Sequence, residues 1–359
     1  MTDATSPTST STKRARWPFL LFALLILMGS GAYYLNVQRK KEALRRWKTA
    51  KIVLPERFAR VPANWSAVTL GERLEKSKKL RDAPTFAAAA EQIGLKSVVA
   101  GGYMLPASAG PLELAQAFKM GPTHQQVTFP EGFTARQVVA RLQKNGFAGA
   151  SNLAKIPTPT LEGRLFPDTY WLPITGNEKQ LVEAMTARWK EEMARLPRPF
   201  PVVDGKPLSE LEIVTLASLI EREAASRAEM PLIAGVLVGR LRLPMRLQVD
   251  ASIQYARLLQ DKEHKSRLLF ADLEIDSPYN TYRNDGLPPA PICNPGAAAL
   301  RAAARPQKTD ALFYVYSPRL KNHVFAPDFA GHKRNIAQAK RERDALEQAA
   351  LAAGISDAR

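Results

Sequence analysis

Cysteine and histidine are scarce in this chain, and their scarcity removes whole classes of chemistry. Of 359 residues, Cys293 is the single cysteine and His124, His264, His323 and His332 are the four histidines. One cysteine cannot build an intrachain disulfide framework or a Cys-rich zinc site. The histidines show no HExxH spacing, so a zincin-type metal centre is not expected. Neither a GxxxxGK[ST] loop nor a GxGxxG turn occurs, which leaves nucleotide phosphates without their usual backbone cradle. No metal and no organic cofactor is therefore expected. Acids are also few, 34 against 51 Lys and Arg, giving a net charge of +17.

What is present is ordinary globular composition, 45% hydrophobic and 24% charged, enough for two or three domains at roughly 150 residues each. The positive charge is uneven. Residues 1–60 hold 12 Lys/Arg against Asp3, Glu42 and Glu56, so about half the excess flanks one apolar segment. Basic residues beside a bilayer gain roughly 1 kcal/mol each against anionic lipid. That accounts for half the charge without nucleic acid, and no nucleic-acid motif accompanies the rest. Anionic membrane lipids are an expected partner and nucleic acid is not.

Residues 17–35, from Trp17 to Leu35, carry no charge and lie between Arg16 and Arg39. Nineteen helical residues span about 28 Å, close to the hydrocarbon thickness of a bilayer. Trp17 and Tyr33–Tyr34 suit the two interfaces. A cleaved signal peptide would have a shorter apolar core, so the segment is read as an uncleaved anchor. Orientation is contested: seven basic residues follow the span and three precede it, and the positive-inside rule alone would leave the C-terminal part in the cytoplasm.

Beyond a basic linker at 36–60, apolar periodicity predicts helices over 69–80, 84–93 and 111–119, with an apolar piece at Ser97–Leu105. Thr134 with Gln137, and Ser209 with Glu212, are capping boxes. Further helices are expected over 177–195, 209–227, 231–242, 297–305 and 330–353. Val127 marks a short strand, and 311–317 pairs with 323–325. Gly235 and Gly239 suggest close packing of the 231–242 helix. Residues beyond 242 look loop-rich up to Gly296. The fold class expected is α+β.

Chemistry concentrates on the helix from Ser209 to Arg227. At 100° per residue, with Leu211 at 0°, Glu221 falls at about 280°, inside the apolar arc, and Glu223 at about 120°, beside Glu212 on the polar edge. An inward carboxyl is desolvated and suited to general-acid work. Alternatively, Glu221 pairs with Arg222 or Arg227. Glu223 is read as a solvated acid. Cys293 is read as a buried, inert thiol, His323 and His332 as structural or surface residues, and Asp168 and Asp250 as acids able to cap or orient a neighbour.

Several segments together resemble one family, the endolytic murein transglycosylases or YceG-like proteins. They are the N-terminal anchor, Val127-Thr-Phe-Pro-Glu-Gly-Phe-Thr134, Leu161-Glu-Gly-Arg-Leu-Phe-Pro-Asp-Thr-Tyr170, Ala217-Ser-Leu-Ile-Glu-Arg-Glu223, Met245-Arg-Leu-Gln-Val-Asp250, Tyr279-Asn-Thr-Tyr282, and Gly286 to Gly296. The resemblance implies a LysM-like domain at 61–147 and a catalytic domain at 155–345, both in the periplasm; with the anchor at 17–35 in the inner membrane, residues 1–16 are expected as a cytoplasmic tail and 346–359 as a C-terminal tail. It implies cleavage of peptidoglycan glycan strands with formation of a 1,6-anhydro-N-acetylmuramic acid end, beside peptidoglycan synthases (penicillin-binding proteins). It carries the catalytic glutamate onto Glu221, and makes Gln248, Asp250, Tyr279, Asn280 and Tyr282 candidates for positioning sugar or Glu221. The competing expectation is a non-catalytic glycan-binding membrane scaffold in which Glu221 is structural.

Overall fold

A computed structural model describes residues 30–31, 33–39, 41–42, 52–53, 57–243 and 245–352. Most of the expected membrane span, 17–29 and residue 32, lies outside them. Among the described residues no helix is long and apolar enough to cross a membrane. The remainder forms two compact units, divided between Thr123 and His124.

In the first unit, strand β1 (Phe58–Val61) pairs antiparallel with β2 (Gly101–Met104), Ala59 opposite Tyr103. Helices α1 (Ala67–Lys76), α2 (Ala83–Gln92) and α3 (Pro111–Lys119) complete it. Ser66 caps α1 by accepting the Thr69 amide at 3.1 Å, which satisfies one of the free N–H groups of the first turn. Leu70, Leu74, Phe86, Leu114 and Phe118 close the core, with the Phe86 and Phe118 rings edge to face at 6.2 Å.

The second unit opens with strand β3 (His124–Thr128), antiparallel to β4 (Thr169–Pro173). Capping boxes form at Thr134 for α4 (Ala135–Lys144) and at Asn177 for α5 (Glu178–Ala194). Val138 and Leu142 of α4 share a core with Leu165, Leu172, Leu181 and Met185. The division before His124 thus differs from the expected domain boundary at residue 147. The turn and helix of 124–147 cannot bury their apolar face without residues 161–185, so they belong to the second unit.

The larger core surrounds α6 (Glu210–Glu223), capped by Ser209 and fully buried from Ile213 to Ile220. It packs against α7 (Met230–Arg242), α8 (Asp250–Leu259) and α9 (Ala297–Ala304). Helix α8 stands where a loop-rich chain was expected. Strands β5 (Phe313–Ser317) and β6 (Asn322–Ala326) form a hairpin with His323 opposite Tyr316. The long C-terminal helix α10 (Phe329–Ala352) lies on that hairpin, tied by the Ser317 hydroxyl donating to Glu342 at 2.6 Å.

Candidate active site

Helix α6 stops at Glu223 because Ala224 turns to an extended conformation (φ −66, ψ 128), four residues before the expected end at 227. The carboxyl of Glu223 is thereby delivered from the last helical turn and not held against the outer face of a continuing helix. The Tyr314 hydroxyl of β5 donates to it at 3.0 Å, and the Ala251 amide at the start of α8 also hydrogen-bonds it. Burial is the largest cause pushing its pKa up, with the Asp250 charge adding to it. The Tyr314 and Ala251 hydrogen bonds and Arg240 oppose them, and the result is about 7. The expectation of a solvated acid at Glu223 is therefore corrected. The helical wheel could not register Tyr314, 91 residues downstream.

Glu223 lines an open cleft of ≈ 430 Å³ together with Arg240, Gln248, Asp250, Tyr282 and Tyr314. The Tyr282 hydroxyl donates to Asp250 at 2.5 Å. Gln248 holds a left-handed backbone (φ 50), a conformation that costs a non-glycine residue energy and tends to persist at functional sites. The cause of its persistence is visible. Arg240 Nη1 donates to the Leu247 carbonyl at 2.7 Å and its Nε to the Leu312 carbonyl at 2.7 Å, while the Gln248 amide donates to the Thr281 carbonyl at 3.1 Å. A buried guanidinium thus fixes the turn that presents Gln248. Rings of Phe313, Tyr316 and Phe329 give the cleft apolar faces, and the His332 imidazole stacks on Phe313 at 5.2 Å with a buried Nδ1 that has no hydrogen-bond partner among the described residues.

Gln248, Asp250 and Tyr282 thus share one cleft, and they share it with Glu223. Tyr279 and Asn280 do not line it. Tyr279 is buried edge-on to Tyr255 at 4.9 Å. Asn280 is fully buried and donates to the carbonyls of Leu273 and Ile275, both at 2.8 Å, which shapes the loop that carries Tyr282.

Glu221 points to a different neighbourhood. Its carboxylate accepts the Gly296 amide at 2.9 Å, and burial, chiefly, raises its pKa. Beside it Glu131 pairs with Arg227 at 2.8 Å. A Cβ at Gly296 would stand 2.1 Å from Glu131 Oε1, so a side chain there would have to displace Glu131. This cluster joins the β3–α4 turn, the end of α6 and the start of α9.

The remaining singled-out residues are also located. Cys293 is buried, its thiol 3.4 Å from the Ser218 carbonyl and raised well above the usual range by burial. Asp168 pairs with Arg188 at 3.1 Å. Glu162, not singled out by the sequence pattern, is buried at the start of α4, where it accepts the Ala135 amide at 2.9 Å. Among the described residues no three His, Cys, Asp or Glu side chains converge as a metal site requires.

Comparison with known proteins gives this geometry a lineage. The YceG-like family matches residues 59–338. An endolytic murein transglycosylase of Bacillus subtilis is 30% identical over 299 residues, covering 73% of this chain and 81% of the relative. Another from Streptococcus pneumoniae is 28% identical over 318 residues, 77% of this chain but 57% of the longer relative. A crystal structure of a YceG-like protein from Listeria monocytogenes, 27% identical, covers 79% of this chain and 99% of its own with a TM-score of 0.44. With one family matched across both compact units, the chain belongs to the YceG-like family.

Proposed function

We propose that this protein is a lytic transglycosylase that cleaves peptidoglycan glycan strands, with Glu223 as the acid and base of the reaction. The observation that carries this reading is a desolvated carboxyl on the wall of an open cleft, held by the Tyr314 hydroxyl and with its pKa pushed up to about 7 by burial. At neutral pH such a group exists in comparable amounts as acid and base, which is the condition for efficient proton transfer in both directions. In the acid form it protonates the glycosidic oxygen between N-acetylmuramic acid and N-acetylglucosamine as that bond breaks. The carboxylate so formed then takes the proton of the muramic C6 hydroxyl, whose oxygen closes on C1 to give the 1,6-anhydro ring. Intramolecular attack supplies proximity that a second catalytic carboxylate would otherwise provide. Gln248 and the cleft aromatics offer an amide and ring faces to the sugars. Glu221, whose carboxylate is committed to Gly296, is assigned a supporting role in place of the catalytic one the resemblance suggested.

The proposal extends to placement. Residues 17–35 anchor the chain in the inner membrane, with residues 1–16 cytoplasmic and both compact units periplasmic. There the LysM-like part grips strands leaving the peptidoglycan synthases, and cleavage ends their elongation. Support comes from the uncharged apolar run and from the location of the substrate.

One observation favours a second reading. Asp250 brings another carboxylate to the cleft, and two carboxylates can hydrolyse a glycosidic bond. Mass spectrometry of products from purified glycan strands separates the two. Anhydro ends, lighter by one water than reducing ends, support transglycosylation; reducing muramic ends would establish hydrolysis, and no cleavage would favour the scaffold.

A further inference from the structure

The cleft contains a second ordered polar device that the proton transfer does not use. His323 of β6 lines the wall shared with Glu223 and Tyr314. Its ring Nδ1 lies 3.1 Å from the Glu229 carboxylate, and its backbone amide donates to the other Glu229 oxygen at 2.6 Å. Glu229 is itself held at the start of α7, where it accepts the Ala225 amide at 3.3 Å. The ring plane is fixed from two sides by edge contacts to Tyr314 at 5.4 Å and Tyr316 at 5.6 Å. Both side chains of the pair are close to buried, 9% exposed for His323 and 11% for Glu229.

A carboxylate can only accept, so Nδ1 carries the proton that bridges to Glu229. In the neutral ring this leaves Nε2 with a lone pair, and among the described residues Nε2 makes no hydrogen bond to protein. A fixed tautomer set by a carboxylate on the far nitrogen is the arrangement that commits an imidazole to one function. Here the function left to Nε2 is acceptance, and hydroxyl groups are the donors a glycan offers in quantity.

We infer that His323 is a substrate-positioning residue whose Nε2 accepts a hydrogen bond from a sugar hydroxyl in the Glu223 cleft, with Glu229 setting its tautomer. This rests on the glycan-cleaving reading above and assigns its site a second polar contact. Tyr314 links the two groups: its hydroxyl holds Glu223 and its ring borders His323. A sugar hydroxyl anchored on Nε2 would be registered against the Glu223 proton, so loss of the anchor should act mainly on binding.

The test has two arms on the full chain in detergent. In the first, His323→Ala is compared with wild type for release of anhydro ends from glycan strands. It should raise KM and lower kcat/KM about tenfold, the scale of one hydrogen bond, with kcat changed less. In the second, ¹⁵N-histidine NMR of Glu223→Gln, which binds without turnover, should show the His323 proton on Nδ1. The Nε2 resonance should then move when a GlcNAc–MurNAc tetrasaccharide is added. Kinetics within twofold of wild type, a proton on Nε2, or an Nε2 resonance unmoved at saturating tetrasaccharide would each overturn the inference. If His323→Ala fails to fold, the NMR arm decides. Absence of cleavage by wild type would be a failure of the glycosidase reading instead, and the tetrasaccharide titration would still decide this one.

Discussion

Replacing Glu162 by glutamine should make the protein's stability far less sensitive to alkali. Glu162 is 2% exposed. It accepts the Ala135 amide at 2.9 Å, the Asn294 side-chain amide at 3.2 Å and the Tyr255 hydroxyl at 3.1 Å. Burial nevertheless dominates and pushes its pKa from 4.5 up to about 8, against the Ala135 and Tyr255 hydrogen bonds. Between those two values the folded protein holds a proton that the unfolded chain has released. Stability therefore falls as pH rises through that window, and the loss is complete above the folded pKa. At about 1.4 kcal/mol per unit, the wild-type loss reaches roughly 3–5 kcal/mol. In Glu162→Gln the amide would keep its carbonyl toward Ala135 and Asn294, turn its NH₂ toward the Tyr255 oxygen, and have nothing to ionise. Every other titrating group is common to both proteins. The gap between their melting temperatures should thus widen by roughly 10 °C between about pH 5 and pH 8.5, at about 2–4 °C per kcal/mol for a unit of this size. Parallel melting curves across that range, or a variant less stable by a constant amount, would refute the reasoning.

Other expectations follow from the same geometry. Gly235→Ala should destabilise the second unit by roughly 2 kcal/mol or more through overpacking, because its Cβ would stand 2.2 Å from the Gln307 carbonyl oxygen; Gly239→Ala, which meets only Leu312 at 3.5 Å, should be tolerated, and urea denaturation compares them. Glycan cleavage should fall as pH rises through about 7, since the first step needs Glu223 protonated, and a kcat/KM profile lacking that descending limb would count against it. An alkaline phosphatase fused after Arg359 should be active if the C-terminal part is periplasmic; an inactive fusion would favour the orientation given by the flanking charges alone.

Local signals were the legible ones. Capping residues such as Thr134 and Ser209 announced their helices within a residue or two, because a cap is a contact over three positions. Helix α8 lies in a stretch read as loop because its buried face carries the polar residues Ser252 and Arg257 among its apolar ones. That face includes Arg257, buried against Asp272 at 2.8 Å, a partner no periodicity reveals. The same limit governed the site. Gln248, Asp250 and Tyr282 were identified by resemblance to the family's segments, and they do share a cleft. The proposed assignment to Glu223 over Glu221 rests on where α6 stops and on Tyr314, both non-local. A wheel extended to residue 227 assigned solvent to the side that β5 covers. Gly235 illustrates the reverse case, where small residues four apart hinted at close approach and one of the two proved to need it.

The central claim is that the cleft proton belongs to Glu223. The direct measurement is the rate of anhydro-end release from purified glycan strands by wild type, Glu223→Gln and Glu221→Gln at about pH 6.5, with circular dichroism to confirm folding. Glutamine at 223 preserves size and can still accept from Tyr314 but cannot transfer a proton, so release should fall at least 10²–10⁴-fold, the usual contribution of general acid–base catalysis. Glutamine at 221 can still accept the Gly296 amide and should stay within about tenfold of wild type. Near-wild-type release by Glu223→Gln, or a loss confined to Glu221→Gln, would contradict the account.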